Sequence, residues 1–429
     1  MAQVGPSSIQ YIGGEAAIAK FAWKPGNKLP TLKPHSGAKL RLIEHYLEAY
    51  FDTVVRSPRM DRLRITLVDG FCGGGAFDDK GLRVQGTPFL LLNAIRNAQA
   101  KLNASRAKPI DIDAQFHFVD LSKHHIEFLR EELIREGYLS RIGHDIHLHR
   151  KKFEEAAVEI EASIRKRTVR GKGRSLFLLD QTGYGEAPFE TIRSLFANFE
   201  KAECILTFAV DFLIDYLSTR AENLKGFAKV ELDQSQIIEM IGLRDGSGGR
   251  YAIQRLLLQH IQASTGASFL SPFFIRSRDS NKNLWLVHLS QHATARNVMV
   301  DSHWAVKNHS LHQGRGGLEM LGFDPNFDPS VTSDFMFGDH EVSIMKDQLA
   351  EDLLRRIRDT TKGNPVRYGQ LLNSIANETP ARLEDLDSVI GHLAAKRELS
   401  ILNQDGTARR TFSPDKQDFI EMNRQSRLL

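Results

Sequence analysis

The sequence predicts an α/β protein with a doubly wound, mostly parallel sheet, because short apolar runs alternate with helical patterns along much of the chain. Each run has the length of a strand, is rich in residues that favour sheets, and is followed or preceded by a helical pattern. A parallel connection needs a crossover about the size of a helix, so the alternation indicates helices on both faces of the sheet. The five runs are RITLVD (64–69), AQFHFVD (114–120), DIHLHR (145–150), SLFLLD (175–180) and ECILTF (203–208).

The elements around these runs complete the predicted sheet domain. The stretch GAKLRLIEHYLEAYFDTVV (37–55) has apolar residues at three- and four-residue spacing, which is typical of an amphipathic helix. Thr87 and Ser122 are predicted N-caps of the helices that follow the first two strands. A helical insertion is predicted at about 220–265. After it, FLSPFFIRSR and NLWLVHLS flank the turn-like DSNKN (279–283), which predicts a β-hairpin that closes the sheet.

The C-terminal part of the chain predicts a second folded domain. Residues 346–429 contain three helical patterns, followed by two short extended runs around an Asp-Gly turn at 405–406. This order is the layout of a winged helix-turn-helix domain. We therefore predict an irregular lead-in at 1–34, the α/β domain at 35–308, a linker or lid at 309–345, and the winged helix.

Composition excludes several classes of protein. Of 429 residues, 41% are hydrophobic and 26% charged, which are the proportions of a globular protein. No apolar run is long enough to span a membrane and the first residues lack a signal-peptide pattern, so we expect a cytoplasmic protein without membrane association. Only two cysteines are present, which argues against a disulfide framework.

Histidines at positions 144, 147 and 149 have a spacing that can ligate a metal. No cysteine lies near them, and the alternating strand pattern places His147 and His149 on one face of a strand. We therefore expect no metal.

The segment Asp69-Gly-Phe-Cys-Gly-Gly-Gly75, after the first strand, predicts a ligand-binding turn, because glycines permit positive φ angles and close approach of the backbone. A phosphate-binding loop fails because Ala76 and Phe77 follow the last glycine, and the dinucleotide fingerprint fails at Cys72 and Asp78. S-adenosylmethionine (SAM), which carries an ammonium, a sulfonium and a ribose diol but no phosphate, fits better. The same segment is also compatible with a turn that binds nothing.

Three predicted strands end on aspartate, at Asp69, Asp120 and Asp180, and ligands bind at this edge of doubly wound sheets. Asp69 suits the cationic end of SAM, and Asp120 suits the ribose hydroxyls. These two lie 51 positions apart, which predicts insertions near 78–86 and 100–112 because the usual separation is about 20.

Asp180 begins the segment Asp-Gln-Thr-Gly-Tyr184 at the end of the fourth strand. An acid, an amide and an aromatic ring in this order can hold a planar acceptor by hydrogen bonding and stacking. Alternatively, Asp180 caps the next helix and Tyr184 packs in the core.

The order of these motifs resembles the three-Cys-motif partner protein family, a bacterial and phage group similar to class I SAM-dependent methyltransferases. The resemblance covers about residues 35–310. It implies an acceptor site at Asp180, Gln181 and Tyr184, although Gln181 and Thr182 replace the Pro-Phe pair of the family pattern Asp-Pro-Phe-Gly-Tyr, which weakens the case for amino-group methylation. The motifs are HSGAKLRLIEHYLEAY, VDGFCGGGAF, QGTPFLLL, FHFVD, FLLDQTGYGEAPFETI and LWLVHLSQHATARNVMVDSHW. The cofactor residues it implies are Asp69, Gly70, Gly73, Gly75 and Asp120, with Phe153 against the adenine.

Basic clusters suggest partners for such a protein. Arg165–Arg174 contains six basic residues and no acid, so it is either a solvated loop or a surface for the phosphates of DNA or RNA. A winged helix can place the N-terminal turns of its second or third helix in a major groove, with Arg409 and Arg410 of the wing on phosphates. Such domains also bind proteins.

We therefore expect a SAM-dependent methyltransferase that acts on a nucleic acid or a nucleic-acid-associated partner. One alternative is a non-catalytic binding or regulatory protein on the same fold, since fold alone does not fix activity. The other is an Mg²⁺-dependent nucleic-acid hydrolase that uses Asp69, Asp120 and Asp180.

Overall fold

The centre of the protein is a seven-stranded sheet. The computed structural model describes residues 23–168, 173–244, 246, 249–276, 283–306, 311–312, 317–318, 335–336, 339–361 and 364–423. The first nine strands are β1 (Arg62–Asp69), β2 (Ala76–Asp79), β3 (Leu82–Gln85), β4 (Asp111–Val119), β5 (Ile146–His149), β6 (Arg174–Leu179), β7 (Ala202–Phe208), β8 (Phe269–Arg276) and β9 (Asn283–Ser290).

The strand order in the sheet is β5-β4-β1-β6-β7-β9-β8. The five predicted strands are β5, β4, β1, β6 and β7, and each pairs in parallel with its neighbour in this order. Strand β9 pairs antiparallel with both β7 and β8. The predicted fold class, a mostly parallel sheet closed by a β-hairpin, is therefore confirmed. Pro272 is accommodated in β8 because that strand lies at the sheet edge, where a missing N–H is tolerated.

Helices cover both faces of the sheet. They are α1 (Pro34–Val54), α2 (Thr87–Ser105), α3 (Lys123–Arg135), α4 (Phe153–Arg167), α5 (Phe189–Asn198), α6 (Val210–Asp215), α7 (Ala221–Lys229), α8 (Gln234–Arg244), α9 (Gly249–Thr265) and α10 (Ala293–Val306). Alternate residues of a strand point to opposite faces, so Leu67 packs in the core beneath α1 and α2, while Val68 packs in the core beneath α4 and α5.

Of the two predicted N-caps, one is confirmed and the other is wrong by one residue. Ser122 caps α3 as predicted, because its hydroxyl accepts a hydrogen bond from the His125 amide at 3.4 Å. The N-cap of α2 is Gly86 rather than Thr87, so that prediction is wrong by one residue. Gly86 donates to the Gly75 carbonyl at 2.8 Å, and a Cβ on Gly86 would lie 3.2 Å from the Gly75 carbonyl carbon. The tight contact with Gly75 thus fixes a glycine at the cap.

The strands β2 and β3 form a hairpin within the predicted insertion near 78–86. Its two turn residues, Lys80 and Gly81, have φ of 54° and 87°. Positive φ at both positions is what a tight two-residue hairpin turn requires. The hairpin lengthens the connection between β1 and β4 and so accounts for part of the wide spacing of Asp69 and Asp120.

The C-terminal region forms the predicted winged helix. After the short strands β10 (Leu311–His312) and β11 (Phe335–Met336), it contains α11 (Asp339–Thr361), β12 (Val366–Arg367), α12 (Tyr368–Ile375), α13 (Leu383–Ala395), β13 (Leu399–Leu402) and β14 (Phe419–Met422). The last three strands form one antiparallel sheet in the order β12-β14-β13. Most of the predicted linker at 309–345 and residues 1–22 of the predicted lead-in lie outside the described residues.

The turn between α12 and α13 packs against α10 of the sheet domain. Arg296, only 2% exposed, donates to the carbonyl oxygens of Thr379 and, at 3.1 Å, of Ala381. The Trp304 indole N–H donates to the Pro380 carbonyl at 2.8 Å. Residues of both domains belong to the same apolar core, so the winged helix is fixed on the sheet domain.

Among the described helices, none is both long and apolar enough to cross a membrane.

Candidate functional site

A cavity of about 450 Å³ lies at the carboxyl ends of β1, β4 and β6, with the start of α1 along one side. Parallel strands end at the same edge of a sheet, so the residues that follow them meet there. The predicted site residues that line it are Gly70, Gly73, Asp120, Phe153, Asp180 and Gln181. Asp69, Gly75 and Tyr184 are not among the residues that line it in the described part of the chain.

The glycine loop after β1 is held in place from two sides. The Gly70 amide donates to the Leu178 carbonyl of β6 at 2.8 Å, and a Cβ on Gly70 would lie 2.6 Å from Leu179 Cδ2. Gly73 and Gly75 have φ of 55° and 77°, conformations that favour glycine. The loop therefore has the conformation for which glycines were predicted, with positive φ angles and a backbone that carries no side chains at the site.

Trp23 is a cavity residue that the sequence prediction missed. Its indole covers the glycine loop so closely that a Cβ on Gly74 would lie 2.3 Å from Trp23 Cγ. The indole N–H donates to the Ala76 carbonyl at 2.5 Å, and the ring lies edge-on to His125 at 5.1 Å between centroids. Trp23 stands in a segment without periodicity, so no local sequence signal links it to a loop 50 residues away.

Asp120 organises the loop and keeps room for a ligand. Its Oδ1 accepts from the Ser122 amide at 2.7 Å, and its Oδ2 accepts from the Gly73 amide at 3.1 Å. His125 Nδ1 lies 3.1 Å from the same Oδ2. A carboxylate has about four acceptor positions, so one position on Oδ1 is left for a ligand hydroxyl. Acceptance of both ribose hydroxyls would require His125 to move.

Asp69 lies behind the loop rather than in the cavity. Its side chain is fully buried, Oδ1 accepts from the Phe71 amide at 3.2 Å, and the Thr87 side chain also forms a hydrogen bond with the carboxylate. Burial raises the pKa of Asp69 to about 7, and the carboxylates of Asp180 and Asp120 act in the same direction. Direct contact with the cationic end of SAM would require the loop to open.

Asp180 joins three elements at the other side of the cavity. Its Oδ1 accepts from the Lys39 ammonium of α1 and, at 2.7 Å, from the Thr207 hydroxyl of β7. The Asp180 side chain remains 32% exposed, whereas that of Lys39 is 11% exposed. A fixed carboxylate therefore faces the cavity with surface left for an acceptor. The alternative in which Asp180 caps the next helix is not observed, since the N-cap of α5 is Pro188.

Gln181 holds the loop that follows β6. Its side-chain N–H₂ donates to the Thr207 carbonyl at 3.0 Å, and its Oε1 accepts from the amides of Glu186 and Ala187 at 2.8 and 2.9 Å. With the side chain only 2% exposed, these bonds keep the amide in the wall of the cavity. Gln181 is placed to shape the site rather than to receive an acceptor.

Tyr184 points away from the cavity. Its ring stacks on Phe227 with 6.0 Å between centroids and lies 6.2 Å from the ring of Phe208. Burial raises the pKa of Tyr184 to about 12. These contacts correspond to the packing role that the sequence left open for this residue.

The histidines near β5 form a stacked cluster with a third histidine of β4. His117 Nδ1 lies 3.0 Å from His149 Nε2, and the rings of His117 and His147 stack at 4.9 Å. Burial lowers the pKa of His117 to about 3. In the part of the chain that the structure describes, no group of three or more His, Cys, Asp or Glu side chains is arranged to hold a metal ion. His147 and His149 thus share a strand face, as expected.

Comparison with known proteins identifies the C-terminal domain. A family model described as the GMT-like wHTH domain matches residues 322–406, which include α11, α12 and α13. No curated protein matches the sequence. The resemblance to three-Cys-motif partner proteins is not tested by these matches and remains a prediction.

Solved structures similar to this chain include several methyltransferases. The bifunctional kinase–methyltransferase WbdD is 12% identical with a TM-score of 0.32, over 59% of this chain and 39% of that one. A SAM-dependent methyltransferase from Agrobacterium tumefaciens is 12% identical with a TM-score of 0.30, over 59% and 62%. The plantazolicin methyltransferase BamL is 10% identical with a TM-score of 0.24, over 59% and 86%. This chain thus spans about two fifths of WbdD, and at these TM-scores the alignments say nothing about shared activity.

Proposed function

We propose that this protein is a SAM-dependent methyltransferase whose acceptor is a nucleic acid or a nucleic-acid-associated partner. One observation carries the proposal: Asp120 and Asp180 face a single cavity from two strand ends, and the Gly70 to Gly73 backbone lies between them. Methyl transfer needs the cofactor and the acceptor to be aligned with each other. One carboxylate can hold the ribose of the cofactor, and the other can hold the acceptor.

The residues at the cavity fit an adenosyl cofactor. The volume of about 450 Å³ lies in the range of small-molecule sites, and no side chain projects from Gly70 or Gly73. Asp120 would hold a ribose hydroxyl on Oδ1, and the exposed side chain of Leu121 offers apolar surface for the adenine. Phe153 lies in the cavity wall but is only 1% exposed, so it would support the adenine site mainly from behind. When bound, SAM would supply an electrophilic methyl group.

Asp180 would orient the acceptor and take up its proton. Because Lys39 and Thr207 both bond Oδ1, the carboxylate cannot rotate freely, and its exposed surface is aimed into the cavity. A positioned acid–base group of this kind contributes about 10²- to 10⁴-fold to rate. Gln181 keeps the following loop closed behind Asp180.

The hydrolase alternative has less support from the site. Asp69 is closed off behind the glycine loop, both oxygens of Asp120 already accept amide hydrogens, and Asp180 is paired with Lys39. The non-catalytic alternative is favoured by one observation, the packing of Tyr184 outside the cavity. It remains the second candidate function.

Isothermal calorimetry with SAM and its demethylated product tests the cofactor site. We expect both to bind, and Asp120→Ala to weaken binding by about 10- to 100-fold, because a hydrogen bond to a charged group is lost. Asp111→Ala is the matched control, since Asp111 lies at the opposite end of the same strand and its side chain is 66% exposed. Absence of binding heat at millimolar SAM would overturn the proposed site. Equal losses of SAM affinity in Asp120→Ala and Asp111→Ala would overturn it as well.

A further inference from the structure

The winged helix is poorly placed to read a nucleic acid. Helix-turn-helix proteins bring the N-terminal residues of their second helix to the base edges. Here the turn that leads into α13 is covered by the sheet domain: the Arg382 guanidinium lies 5.1 Å from the centre of the Trp304 ring, and Thr379 and Ala381 are buried against α10. The cover ends before the helix, since Glu384 in the first turn of α13 keeps a side chain that is 69% exposed. The sheet domain therefore restricts access to the start of α13 from the side of α10.

The charge of the winged helix gives little support for nucleic-acid binding. Over its predicted bounds, 346–429, it contains 14 Lys and Arg against 13 Asp and Glu, a net charge of +1, whereas the whole chain has +4. The rest of the chain therefore carries +3. Glu384, at the outer face of α13, pairs with Arg382 and adds an acid near the helix start. A domain so close to neutral attracts phosphates only weakly.

The basic stretch 165–174 lies at the wrong edge of the sheet. Helix α4 begins at Phe153, which lines the cavity, and its 15 residues span about 22 Å at 1.5 Å per residue. At its other end, Arg167 donates to the Asp113 carbonyl and carboxylate at 2.8 Å, near the start of β4. This placement is stated for 165–168 and 173–174 only, since residues 169–172 lie outside the described part of the chain.

A different basic surface surrounds the cavity opening. Arg150, Lys151 and Lys152 are consecutive between β5 and α4, and the two lysines line the cavity. Lys33, before α1, and Lys229, at the end of α7, line it from other segments. The acids beside these lysines are Glu154 and Glu186 of the lining and Glu159, which pairs with Lys151. Five cations, with Arg150, therefore stand against three carboxylates at the opening. We refer to Lys33, Arg150 to Lys152 and Lys229 as the basic rim.

We propose that the basic rim binds the phosphates of a nucleic-acid strand and brings one of its nucleotides to the cavity, while the winged helix serves as a fixed support. This inference rests on the proposed function for the identity of the acceptor. Enzymes that modify a base act on it outside the stack, so the phosphates must be held beside the opening and not one helix length away.

Salt-dependent binding of a fluorescently labelled single-stranded oligonucleotide, followed by anisotropy, tests the basic rim. The slope of log K against log[salt] is negative, and each lost phosphate contact lowers its magnitude by about 0.7. We therefore expect the triple variant Arg150→Gln/Lys151→Gln/Lys152→Gln to lower it by about 2, and Lys229→Gln alone by about 0.7. The control Arg165→Gln/Lys166→Gln/Arg410→Gln removes the same charge from the two rejected surfaces and should leave the slope unchanged.

The inference would be overturned if the control variant lowered the magnitude of the slope as much as the rim variant does. An unchanged slope in the rim variant would overturn it as well. Calorimetry with SAM on the same preparations separates this result from the proposed function. If the wild type binds SAM but no oligonucleotide at low salt, the basic rim is wrong and the cofactor site stands. If the oligonucleotide binds at the rim and SAM does not bind, the rim stands and the methyltransferase proposal fails.

Discussion

Asp180→Asn is expected to slow methyl transfer by about 10²- to 10⁴-fold, because the acceptor loses the carboxylate that orients it and accepts its proton. Asparagine has nearly the same shape and can still accept from Lys39 and Thr207 through Oδ1. The affinity for SAM, measured by calorimetry, should change little, since the ribose contact is assigned to Asp120. The rate is measured as transfer of a radioactive methyl group to nucleic acid.

The control for this variant is Asp52→Asn. Asp52 also pairs with a lysine, Lys101 at 2.6 Å, but on the exposed face of α1. We expect its rate to equal that of the wild type. If Asp180 only anchors α1, then Lys39→Met should lose as much activity as Asp180→Asn, and both should show a parallel fall in melting temperature. That pattern would remove Asp180 from the chemistry.

Arg296→Ala is expected to destabilise the protein by about 2–5 kcal/mol, because two buried carbonyl groups each lose a donor at a cost of about 1–3 kcal/mol. The guanidinium is 2% exposed, and its loss leaves the carbonyls of Thr379 and Ala381 buried without donors. Burial lowers the pKa of Arg296 to about 10, so the side chain stays charged at neutral pH. Denaturant unfolding gives the free energy, and limited proteolysis should show earlier cleavage near 377–382.

Arg358→Ala is the matched control for Arg296. Arg358 is 43% exposed in its side chain and pairs with an exposed acid, Asp359, so its removal should change the free energy of unfolding by no more than about 0.5 kcal/mol. If Arg296→Ala is equally mild, the winged helix is not held on α10 by this contact. The turn that leads into α13 would then not be fixed under the sheet domain by Arg296.

The sheet and the meeting of Asp120 and Asp180 at one edge were predictable because both depend on local signals. Apolar runs of strand length mark the strands, and the rule that parallel strands share an edge then places their last residues together. The sequence predicts an insertion near 78–86 between Asp69 and Asp120, but it does not predict that the insertion forms the β2–β3 hairpin. Its Lys80-Gly81 turn is a signal that could have identified it.

The remaining parts of the site depend on contacts between distant residues. Lys39 and Asp180 are 141 positions apart, and Trp23 reaches a carbonyl 53 positions away. A lysine in a helix and a tryptophan in an irregular segment carry no mark of such partners. The direction of Tyr184 is open for the same reason, because it depends on Phe227 of α7. The predicted helical insertion at about 220–265 includes this helix, but the sequence does not show that it packs on Tyr184.

The docking of the winged helix was beyond sequence prediction for another physical reason. Arg296 and Trp304 bind backbone carbonyls, which are the same for every residue type, so Thr379 to Ala381 give no compositional clue. The prediction that the start of α13 enters a major groove used the helix pattern alone. The covered turn before α13 and the nearly neutral charge of the domain argue against that interpretation.

A crystal structure of the protein with the demethylated product of SAM is the most direct test of the central claim that Asp120 and Asp180 divide one cavity between cofactor and acceptor. We expect electron density for this ligand along Gly70 to Gly73, with a ribose hydroxyl within hydrogen-bonding distance of Asp120 Oδ1 and the sulfur directed toward Asp180. Ligand bound elsewhere, or a sulfur facing away from Asp180 with Lys39 still paired to it, would contradict the claim.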